Sequence, residues 1–258
     1  MSLSQPMKQI DTGITSAVWA TDPSEDIYFL SGKQFQKVAG KLIHVTSGAS
    51  GVWGVNRLNQ IFFRDGVTLS LPKGVAWKLV AGGLMQIDSG PKGVVCGVAK
   101  AYGVYCREGI TDASPTGTKW FRTSGLLKYI SCGGYGYWGV NAGGDIFFTR
   151  DVYDDKIQKT NWEKVDGSLR QIEAGPNGEV WGVNANDELF TRIGVTQGSP
   201  TGFAWKRIGG RSFVSVTVGQ NALYAIDVGN TVYSGTMLRQ AQPGMSFGLI
   251  NSGSRCRK

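Results

Sequence analysis

Short apolar runs and turn residues alternate along most of this chain. A representative unit reads Gln-Ile, then Val-Trp-Gly-Val-Asn, then Ile-Phe-Phe-Arg, then Trp-Lys-x-Val, with Gly, Asn and Pro between the runs. Short runs of this kind, bounded by such turn residues, are typical of β-strands, and no stretch keeps a helical period. The pattern therefore predicts an all-β protein.

The unit recurs six times, and the centre of its second run serves as an anchor. The six anchor positions are Trp19, Trp53, Cys96, Trp138, Trp181 and Tyr224. After a shorter first step, the anchors lie about 43 residues apart, which suits a four-stranded propeller blade. The repeat predicts one six-bladed β-propeller over residues 7–250, between a flexible N-terminus (1–6) and a basic C-terminal tail (251–258).

The lengths of the links predict how each blade is wired. A short glycine-rich turn follows each Trp-Lys-x-Val run, whereas a long Gly/Pro/Thr segment such as 108–119 precedes it. If short links lie within a blade, the Trp-Lys-x-Val run is the first strand of a blade. The last run, 247–250, would then join the three N-terminal strands and close the ring. Closure leaves only short, protected sheet edges.

A glycine follows the anchor in four units, at Gly54, Gly97, Gly139 and Gly182. A glycine inside a strand often marks a place where another group approaches the backbone closely. We expect this space to be filled by an aromatic ring from the next blade.

The charge balance is basic, with 27 Lys and Arg against 19 Asp and Glu and a net charge of +8. Such an excess favours anionic partners, or it serves solubility alone. No stripe of Lys and Arg interleaves with exposed aromatics, which argues against nucleic acid. The apolar runs are too short for membrane insertion. Residues 1–6 lack the basic and apolar regions of a secretory signal.

Two of the four cysteines replace aromatic residues of the repeat. Cys96 stands at an anchor position, and Cys106 stands where Phe63 and Phe148 occur in other units. Both changes fall on adjacent strands of one hairpin, which predicts a cross-strand disulfide and an oxidising compartment. Cys132 and Cys256 are left. They could pair with each other, remain thiols, or form an intermolecular bond through Cys256 that would make a homodimer.

The residues offer little chemistry for catalysis. His44 is the sole histidine and occupies a strand position held by Gln in other units. Without a second histidine, Ser-His-Asp or Cys-His catalysis would depend on this residue alone. The cysteine spacings do not suit zinc, and no phosphate-binding loop or nucleophile elbow is present. We expect a binding protein without a catalytic centre, metal or cofactor.

The units resemble tectonin repeats. The resemblance rests on LRQIEAGPNGEVWGVN at residues 169–184, on the link that begins at Arg192 and contains Pro200, Gly202 and Trp205, and on matching frames at 41–56 and 84–93. It covers nearly the whole chain and is greatest to the animal tectonin lectins, including the fish egg lectins and, more distantly, the tachylectins. Units one and six are degenerate, and unit three has Cys96 in place of Trp.

The resemblance implies a six-bladed propeller that binds glycans, either N-acetylglucosamine-type sugars or bacterial lipopolysaccharide, in innate defence. Such a lectin would be multivalent, would agglutinate cells and would be secreted. Because the family has intracellular branches and no signal peptide is visible, a cytoplasmic location is the alternative. A protein-interaction propeller without sugar specificity is the alternative function.

A glycan site is expected where the long links and the Gly-Pro-x-Gly turns project from one rim, since loops at one end of a rigid scaffold commonly carry recognition. Recurrent polar side chains at or near these segments are the candidate contacts: Asp88, Arg107, Arg150, Glu173, Asn177 and Arg192. The alternatives are structural. The carboxylates could cap the adjacent turns, and the arginine stems could cover apolar surface.

Overall fold

A computed structural model describes residues 5–14, 17–152, 160–236 and 248–249. Within these ranges it contains 24 β-strands and no helix. The strands form six four-stranded antiparallel sheets, and the strands of each sheet follow one another in chain order. The first strands of successive sheets contact one another and surround a central axis. The protein is thus a six-bladed β-propeller, as the repeat predicts.

Each blade is one continuous piece of chain. The strands of blades 1 to 3 are β1 (Gln9–Thr12), β2 (Val18–Thr21), β3 (Asp26–Ser31) and β4 (Gln34–Lys41); β5 (His44–Gly48), β6 (Gly51–Val55), β7 (Ile61–Asp65) and β8 (Ala76–Val80); and β9 (Gln86–Ser89), β10 (Val95–Val98), β11 (Gly103–Glu108) and β12 (Lys119–Leu126). Those of blades 4 to 6 are β13 (Tyr129–Cys132), β14 (Tyr137–Val140), β15 (Asp145–Thr149) and β16 (Glu163–Ser168); β17 (Gln171–Ala174), β18 (Val180–Val183), β19 (Leu189–Ile193) and β20 (Ala204–Ile208); and β21 (Phe213–Val218), β22 (Ala222–Asp227), β23 (Val232–Thr236) and β24 (Gly248–Leu249).

The strand order corrects the predicted wiring. The Gln-Ile run is the innermost strand of each blade and the Trp-Lys-x-Val run is the outermost, so the long segment lies within a blade and the short turn crosses to the next. The C-terminal strand β24 pairs with β23 of blade 6. The prediction that it joins the N-terminal blade was therefore wrong. The predicted flexible N-terminus and basic tail fall mostly on 1–4 and 250–258, outside the described residues.

The ring closes without exchange of a strand between blades 1 and 6. An apolar cluster spans the two blades, with Met7 and Ile10 on one side and Ile226 and Val232 on the other. The backbone N–H of Met7 also donates to Asn230 O at 2.9 Å. We call this junction the closure seam. Among the described residues it depends on packing and a few hydrogen bonds, since no β-ladder between those residues crosses it.

The short first step of the repeat has a simple cause. In blade 1 the third and fourth strands are joined by Gly32 and Lys33 alone, whereas blades 2, 3 and 5 carry ten-residue loops at the same place, residues 66–75, 109–118 and 194–203. We call these three segments the long loops. Gly32 has a φ of 61°, which a tight turn requires and glycine adopts at little cost.

The glycine after the anchor makes room for a leucine of the link that precedes its blade. A Cβ on Gly54 would lie 2.4 Å from Cδ1 of Leu42, and a Cβ on Gly182 would lie 2.4 Å from Cδ1 of Leu169. Gly97 and Gly139 face Leu84 and Leu127 in the same way. These leucines enter from the short links between blades and are buried. The expectation of an aromatic ring from the next blade was wrong.

Tryptophans bind neighbouring blades together. The outer-strand Trp77 of blade 2 packs edge-on against the anchor Trp19 of blade 1, with ring centroids 6.0 Å apart. Its indole N–H donates to Ala39 O at 3.0 Å. Blades 2 and 3 and blades 4 and 5 repeat the Trp–Trp contact. Trp162 of blade 4 instead packs on the cluster that contains Cys96 and Cys106.

The predicted disulfide is present between Cys96 and Cys106, which face each other across β10 and β11. It occupies the place that a Trp–Phe pair takes in other blades, such as Trp53 and Phe63. Cys132 is buried and forms no disulfide with another described cysteine. The alternatives that involve Cys256 lie outside the described residues.

Candidate functional site

The predicted binding loops lie at one end of the ring. The turns between first and second strands and the segments between third and fourth strands are separated by two strand reversals, so they project from the same end of each antiparallel blade. We call this the loop end. The predicted common rim is therefore confirmed, although the long loops connect strands within a blade and not between blades.

The three long loops share one backbone conformation. In the loop of blade 3, Thr111 and Ser114 exchange two backbone hydrogen bonds of 3.1 and 3.0 Å. The Thr111 hydroxyl oxygen also accepts from the Ser114 N–H. The loops of blades 2 and 5 repeat all three bonds. Glycines with positive φ stand near both ends of each loop, for example Gly109 at 72° and Gly117 at 63°. The loops are thus ordered structures.

A buried arginine holds each long loop. Arg107 Nε donates to Thr116 O at 2.6 Å, and its guanidinium lies over the Trp120 ring at 5.1 Å from the centroid. Arg192 makes the same bond to Thr201 and the same stacking contact. Arg64 does so in blade 2. Burial lowers the pKa of Arg107 below its usual value. These contacts support the structural alternative for Arg107 and Arg192.

Arg150 differs from the other three arginines. In blade 4, Phe148 pairs with the anchor Trp138, so Thr149 occupies the place that Arg107 takes in blade 3. Arg150 is one residue further along and is exposed. Its Nη1 and Nη2 donate to Gln197 O and Gly198 O, at 3.2 and 3.3 Å. Arg150 therefore joins blade 4 to the long loop of blade 5.

An open cleft lies between Thr149 of blade 4 and the long loop of blade 5. Its volume is about 460 Å³, within the range of ligand pockets. The polar groups that line it include Arg150, Asp151, Thr160, Asn161, Glu163, Ser199 and Thr201. They offer both donors and acceptors. Sequence reasoning missed this cleft. The signal that could have revealed it is that blade 4 has Thr149 at the position where blades 2, 3 and 5 have a buried arginine.

Two of the predicted contacts lie elsewhere, buried around the axis. Each inner strand contributes one polar residue, and acids alternate with hydroxyls in the order Asp11, Thr46, Asp88, Ser131, Glu173 and Thr217. Asp88 accepts from the Thr46 hydroxyl at 2.9 Å and from the Cys132 N–H at 2.6 Å. Glu173 accepts from the hydroxyls of Tyr129 and Ser131. Asp88 and Glu173 thus bind neighbouring blades together.

The axial carboxyls are hard to ionise. Burial, followed by the charge of Asp88, raises the pKa of Asp11 to about 7. The same two causes raise the pKa of Glu173 well above its usual value. Burial also raises the pKa of Asp88. The cavity among them measures about 20 Å³, which is room for about one water molecule. The axis is therefore no passage for a glycan.

A second polar layer surrounds the axis beside the acids. Gln9, Gln86 and Gln171 each use their amide to pair with the backbone of the next blade; Gln86 accepts from Ile130 N–H at 3.1 Å and donates to Ile130 O at 2.9 Å. His44 lies between them, with Nε2 at 3.1 Å from the Tyr129 hydroxyl. Burial lowers the pKa of His44 to about 4. The glutamines join blades 1 to 2, 3 to 4 and 5 to 6.

Asn177 is at the loop end, in the turn between β17 and β18. Its Nδ2 donates to Gln220 O in the corresponding turn of blade 6 at 3.1 Å. The structure does not bring the six predicted contacts together, because Asp88 and Glu173 lie at the axis and Arg107 and Arg192 beneath their own loops. Arg150 alone among them lines the cleft.

The described residues contain no group of three His, Cys, Asp or Glu side chains placed to hold a metal ion. In the same part of the chain, no helix has the length and apolar character needed to cross a membrane.

We expect the change Arg192→Lys to loosen the long loop of blade 5 while the propeller stays folded. Lysine keeps the charge but loses the forked donors and the planar contact with Trp205. Backbone amides in 194–203 should exchange hydrogen about tenfold faster, as expected for a loss of ~1.4 kcal/mol in local stability. Arg122→Lys, at an exposed position in blade 3, is the control for global stability. Unchanged exchange in 194–203 would contradict a holding role for Arg192.

Solved structures with a similar fold include human WBSCR16, with a TM-score of 0.59 and 10% identity over 92% of this chain and 77% of that chain. Yeast RCC1 (Prp20), solved bound to Kap60, has a TM-score of 0.53 and 11% identity over 87% of this chain and 68% of that chain. At these identities the likeness shows the propeller fold alone.

Similar sequences give a closer relationship. Fish-egg lectin of Cyprinus carpio is 34% identical over 102 residues, 38% of this chain and 43% of the relative. Tectonin-1 of Physarum polycephalum is 39% identical over 61 residues, 24% of each chain. A tectonin β-propeller repeat-containing protein of Drosophila melanogaster is 35% identical over 181 residues, 63% of this chain. That match spans 13% of the Drosophila protein, so all three alignments cover less than half of these relatives.

The profile of the tectonin domain matches residues 6–228, which includes the strands of blades 1 to 5 and the two inner strands of blade 6. This match agrees with the six blades, the anchor tryptophans and the glycine–leucine contacts described above. The chain therefore belongs to the tectonin family.

Proposed function

We propose that this protein is a multivalent lectin that recognises N-acetylglucosamine-type sugars or bacterial lipopolysaccharide glycans in innate defence. Membership of the tectonin family and the similarity to a fish-egg lectin support carbohydrate binding. The observation that carries the proposal is the open polar cleft between blades 4 and 5. The described residues that line the cleft include no catalytic triad or metal centre, which is compatible with a role in binding alone.

The chemistry of the cleft suits a neutral sugar. A sugar hydroxyl both donates and accepts hydrogen bonds, and the cleft offers a guanidinium and an amide beside carboxylates and hydroxyls. The contacts of Arg150 with Gln197 O and Gly198 O fix the opposite wall. An ordered site reduces the entropy lost on binding. We propose Arg150, Asn161, Glu163 and Ser199 as the contacting residues.

Multivalency would follow from repetition on the loop end, where three long loops share one conformation. Linked weak sites raise the overall avidity without any new contact. The disulfide Cys96–Cys106 supports a secreted protein, since disulfides persist in oxidising compartments.

The direct test is a glycan array followed by calorimetry on the sugars that bind. We expect the double change Asn161→Ala and Glu163→Gln to weaken binding at the cleft at least about tenfold, which is ~1.4 kcal/mol. Alanine is the residue that blades 2 and 5 carry at the position of Asn161, at Ala76 and Ala204. Lys119→Ala, the matching change in blade 3, is the control and should leave binding unaltered.

Calorimetry also reports the number of sites, and a stoichiometry above one per chain would support multivalency. A folded protein that binds no glycan on the array would overturn the proposal, and the protein-interaction alternative would then stand. Equal binding by the double variant and the parent would place the sugar outside the cleft.

Salt separates the two glycan classes. Attraction between exposed charges is screened over about 8 Å at physiological ionic strength. With a net charge of +8, binding to phosphate-rich lipopolysaccharide should weaken with added salt, while binding to immobilised N-acetylglucosamine should change little. Equal salt dependence for both ligands would remove the electrostatic contribution and leave a lectin for neutral sugars.

A further inference from the structure

The long loop of blade 2 exposes apolar side chains that its conformation does not require. Leu69, at the tip, is 100% exposed, Val75 is 68% exposed and Leu71 is 44% exposed. Loops on a protein surface normally carry polar residues at such positions, since apolar area in water is unfavourable. These three side chains therefore form an apolar tip at the loop end, which we call the leucine tip.

The long loop of blade 3 shows that the apolar side chains of the leucine tip are not needed for the loop conformation. Counted from the shared Thr and the glycines, Leu69, Leu71 and Val75 correspond to Asp112, Ser114 and Thr118 in blade 3. The blade 3 loop nevertheless makes the same backbone bonds, the same Thr cap and the same arginine contact. Val75 faces Gly66, as Thr118 faces Gly109 in blade 3 and the exposed Phe203 faces Gly194 in blade 5. Leu69 and Leu71 are thus the apolar residues that set the blade 2 loop apart.

Basic residues lie at the same end of the ring as the leucine tip. Lys73 belongs to the same loop, where blades 3 and 5 have Thr116 and Thr201. The turns of the neighbouring blades at this end carry Lys33 and Lys92, both exposed. The nearby carboxylate of Asp65 is engaged by Lys78 at 2.8 Å. This part of the loop end therefore combines exposed apolar side chains with exposed lysines.

We propose that the leucine tip adsorbs to the surface of an anionic phospholipid bilayer. The apolar side chains enter the boundary between headgroups and acyl chains, and the lysines contact the anionic headgroups. This arrangement combines the two contributions that hold a peripheral protein at a membrane. The chain lies on the bilayer and does not span it. This property is separate from sugar binding and requires no glycan.

The shape of the surface favours a bilayer over a protein partner. A stable protein interface buries about 800 Å² on each side and matches its partner in shape. One projecting loop with a fully exposed tip offers a narrow, convex contact, which a fluid bilayer can enclose without a preformed groove. The net charge of +8 complements an anionic membrane.

The experiment is co-sedimentation of the full chain with sugar-free vesicles of phosphatidylcholine, with and without phosphatidylserine. The test variant L69D/L71S/V75T installs the residues of the blade 3 loop, whose backbone is the same. We expect the parent to sediment with the anionic vesicles and the variant to bind at least about tenfold more weakly. The single change Lys73→Thr should reduce binding less and should weaken its dependence on salt.

A matched control changes the equivalent tip of blade 5. Gln197→Asp places the blade 3 residue at a position that corresponds to Leu69 but lies away from the leucine tip, and it should leave vesicle binding unchanged. Circular dichroism and the melting temperature of the L69D/L71S/V75T variant should equal those of the parent, which shows that the fold is intact. The vesicles carry no sugar, so this test is independent of the lectin proposal.

Two results would overturn the proposal. The first is equal sedimentation of parent and L69D/L71S/V75T, or no sedimentation of either. The second is a parent that forms a dimer without vesicles, a variant that stays monomeric, and no vesicle binding by either one. In that case the leucine tip would serve contact between copies of the chain.

Discussion

Replacing Asp11 with asparagine is expected to make the protein more stable than the parent at pH 8, and this advantage should vanish by pH 4. Burial raises the folded-state pKa of Asp11 from 3.8 to about 7. A carboxyl with a raised pKa contributes stability that is fully present below its unfolded pKa and is lost as the pH rises through the folded one. Asparagine carries no charge at any of these pH values.

The size of the effect follows from the same linkage. Between pH 4 and pH 8 the stability of the variant relative to the parent should change by on the order of 4 kcal/mol. Urea unfolding at a series of pH values measures it. The groups that interact with Asp11 are Asp88, Ser47, Thr46 and Thr217, and the charge of Asp11 in turn raises the pKa of Glu173. If the stabilities of the parent and the variant changed with pH in parallel, Asp11 would have the same pKa in the folded and the unfolded state, and the prediction would be wrong.

His44 provides a control with the opposite sign. Burial lowers its pKa from 6.5 to about 4, so its contribution is present above pH 6.5 and is lost as the pH falls toward 4. The change His44→Gln installs glutamine, the residue that blades 1, 3 and 5 carry in this polar layer around the axis. The stability of the His44→Gln variant relative to the parent should therefore rise as the pH falls below 6.5. The relative stability of the Asp11→Asn variant should fall over the same change in pH.

Removing the disulfide with Cys96→Ser and Cys106→Ser should lower the free energy of unfolding by about 3 kcal/mol. The bond closes a short loop, with a sequence separation of 10, and restricts the unfolded chain accordingly. For a chain of this size the melting temperature should fall by roughly 6–12 °C. Differential scanning calorimetry measures the change, and reduction of the parent by dithiothreitol should produce a similar one.

A matched variant tests why the cysteines are tolerated at a core position. Cys96→Trp with Cys106→Phe installs the pair that blade 2 has at Trp53 and Phe63, whose rings lie 5.1 Å apart. Trp162 would then meet an indole, as Trp120 does in blade 3. This variant should recover most of the lost stability and become insensitive to dithiothreitol. A parent whose melting temperature is unchanged by reduction would contradict a stabilising disulfide.

The sequence predicted the number of blades and the disulfide because both depend on the repeat register. It failed on the assignment of strands to blades. Link length predicts that a short link lies within a blade, but the short link from Val80 to Gln86 crosses between blades and places Leu84 in the core. The long loops, by contrast, are held by their own hydrogen bonds and a buried arginine. They are therefore ordered despite their length.

The candidate site was harder to predict than the fold. Arg150 was aligned with Arg107 and Arg192, yet a shift of one residue in a strand moves a side chain to the opposite face. The structure places Thr149 in the buried position and leaves Arg150 exposed. The alternation of acids and hydroxyls was visible in the chain. Its role in joining blades depends on contacts between distant residues, such as Asp88 with Cys132.

The closure seam has a consequence for how copies of this protein can associate. Its two sides, with Ile10 on blade 1 and Ile226 on blade 6, are held by packing and a few hydrogen bonds, so an opened ring would present two complementary faces. Each face could close on the opposite face of another chain, as in domain swapping. A mutation that weakens this cluster should therefore promote swapped oligomers or filaments at high concentration.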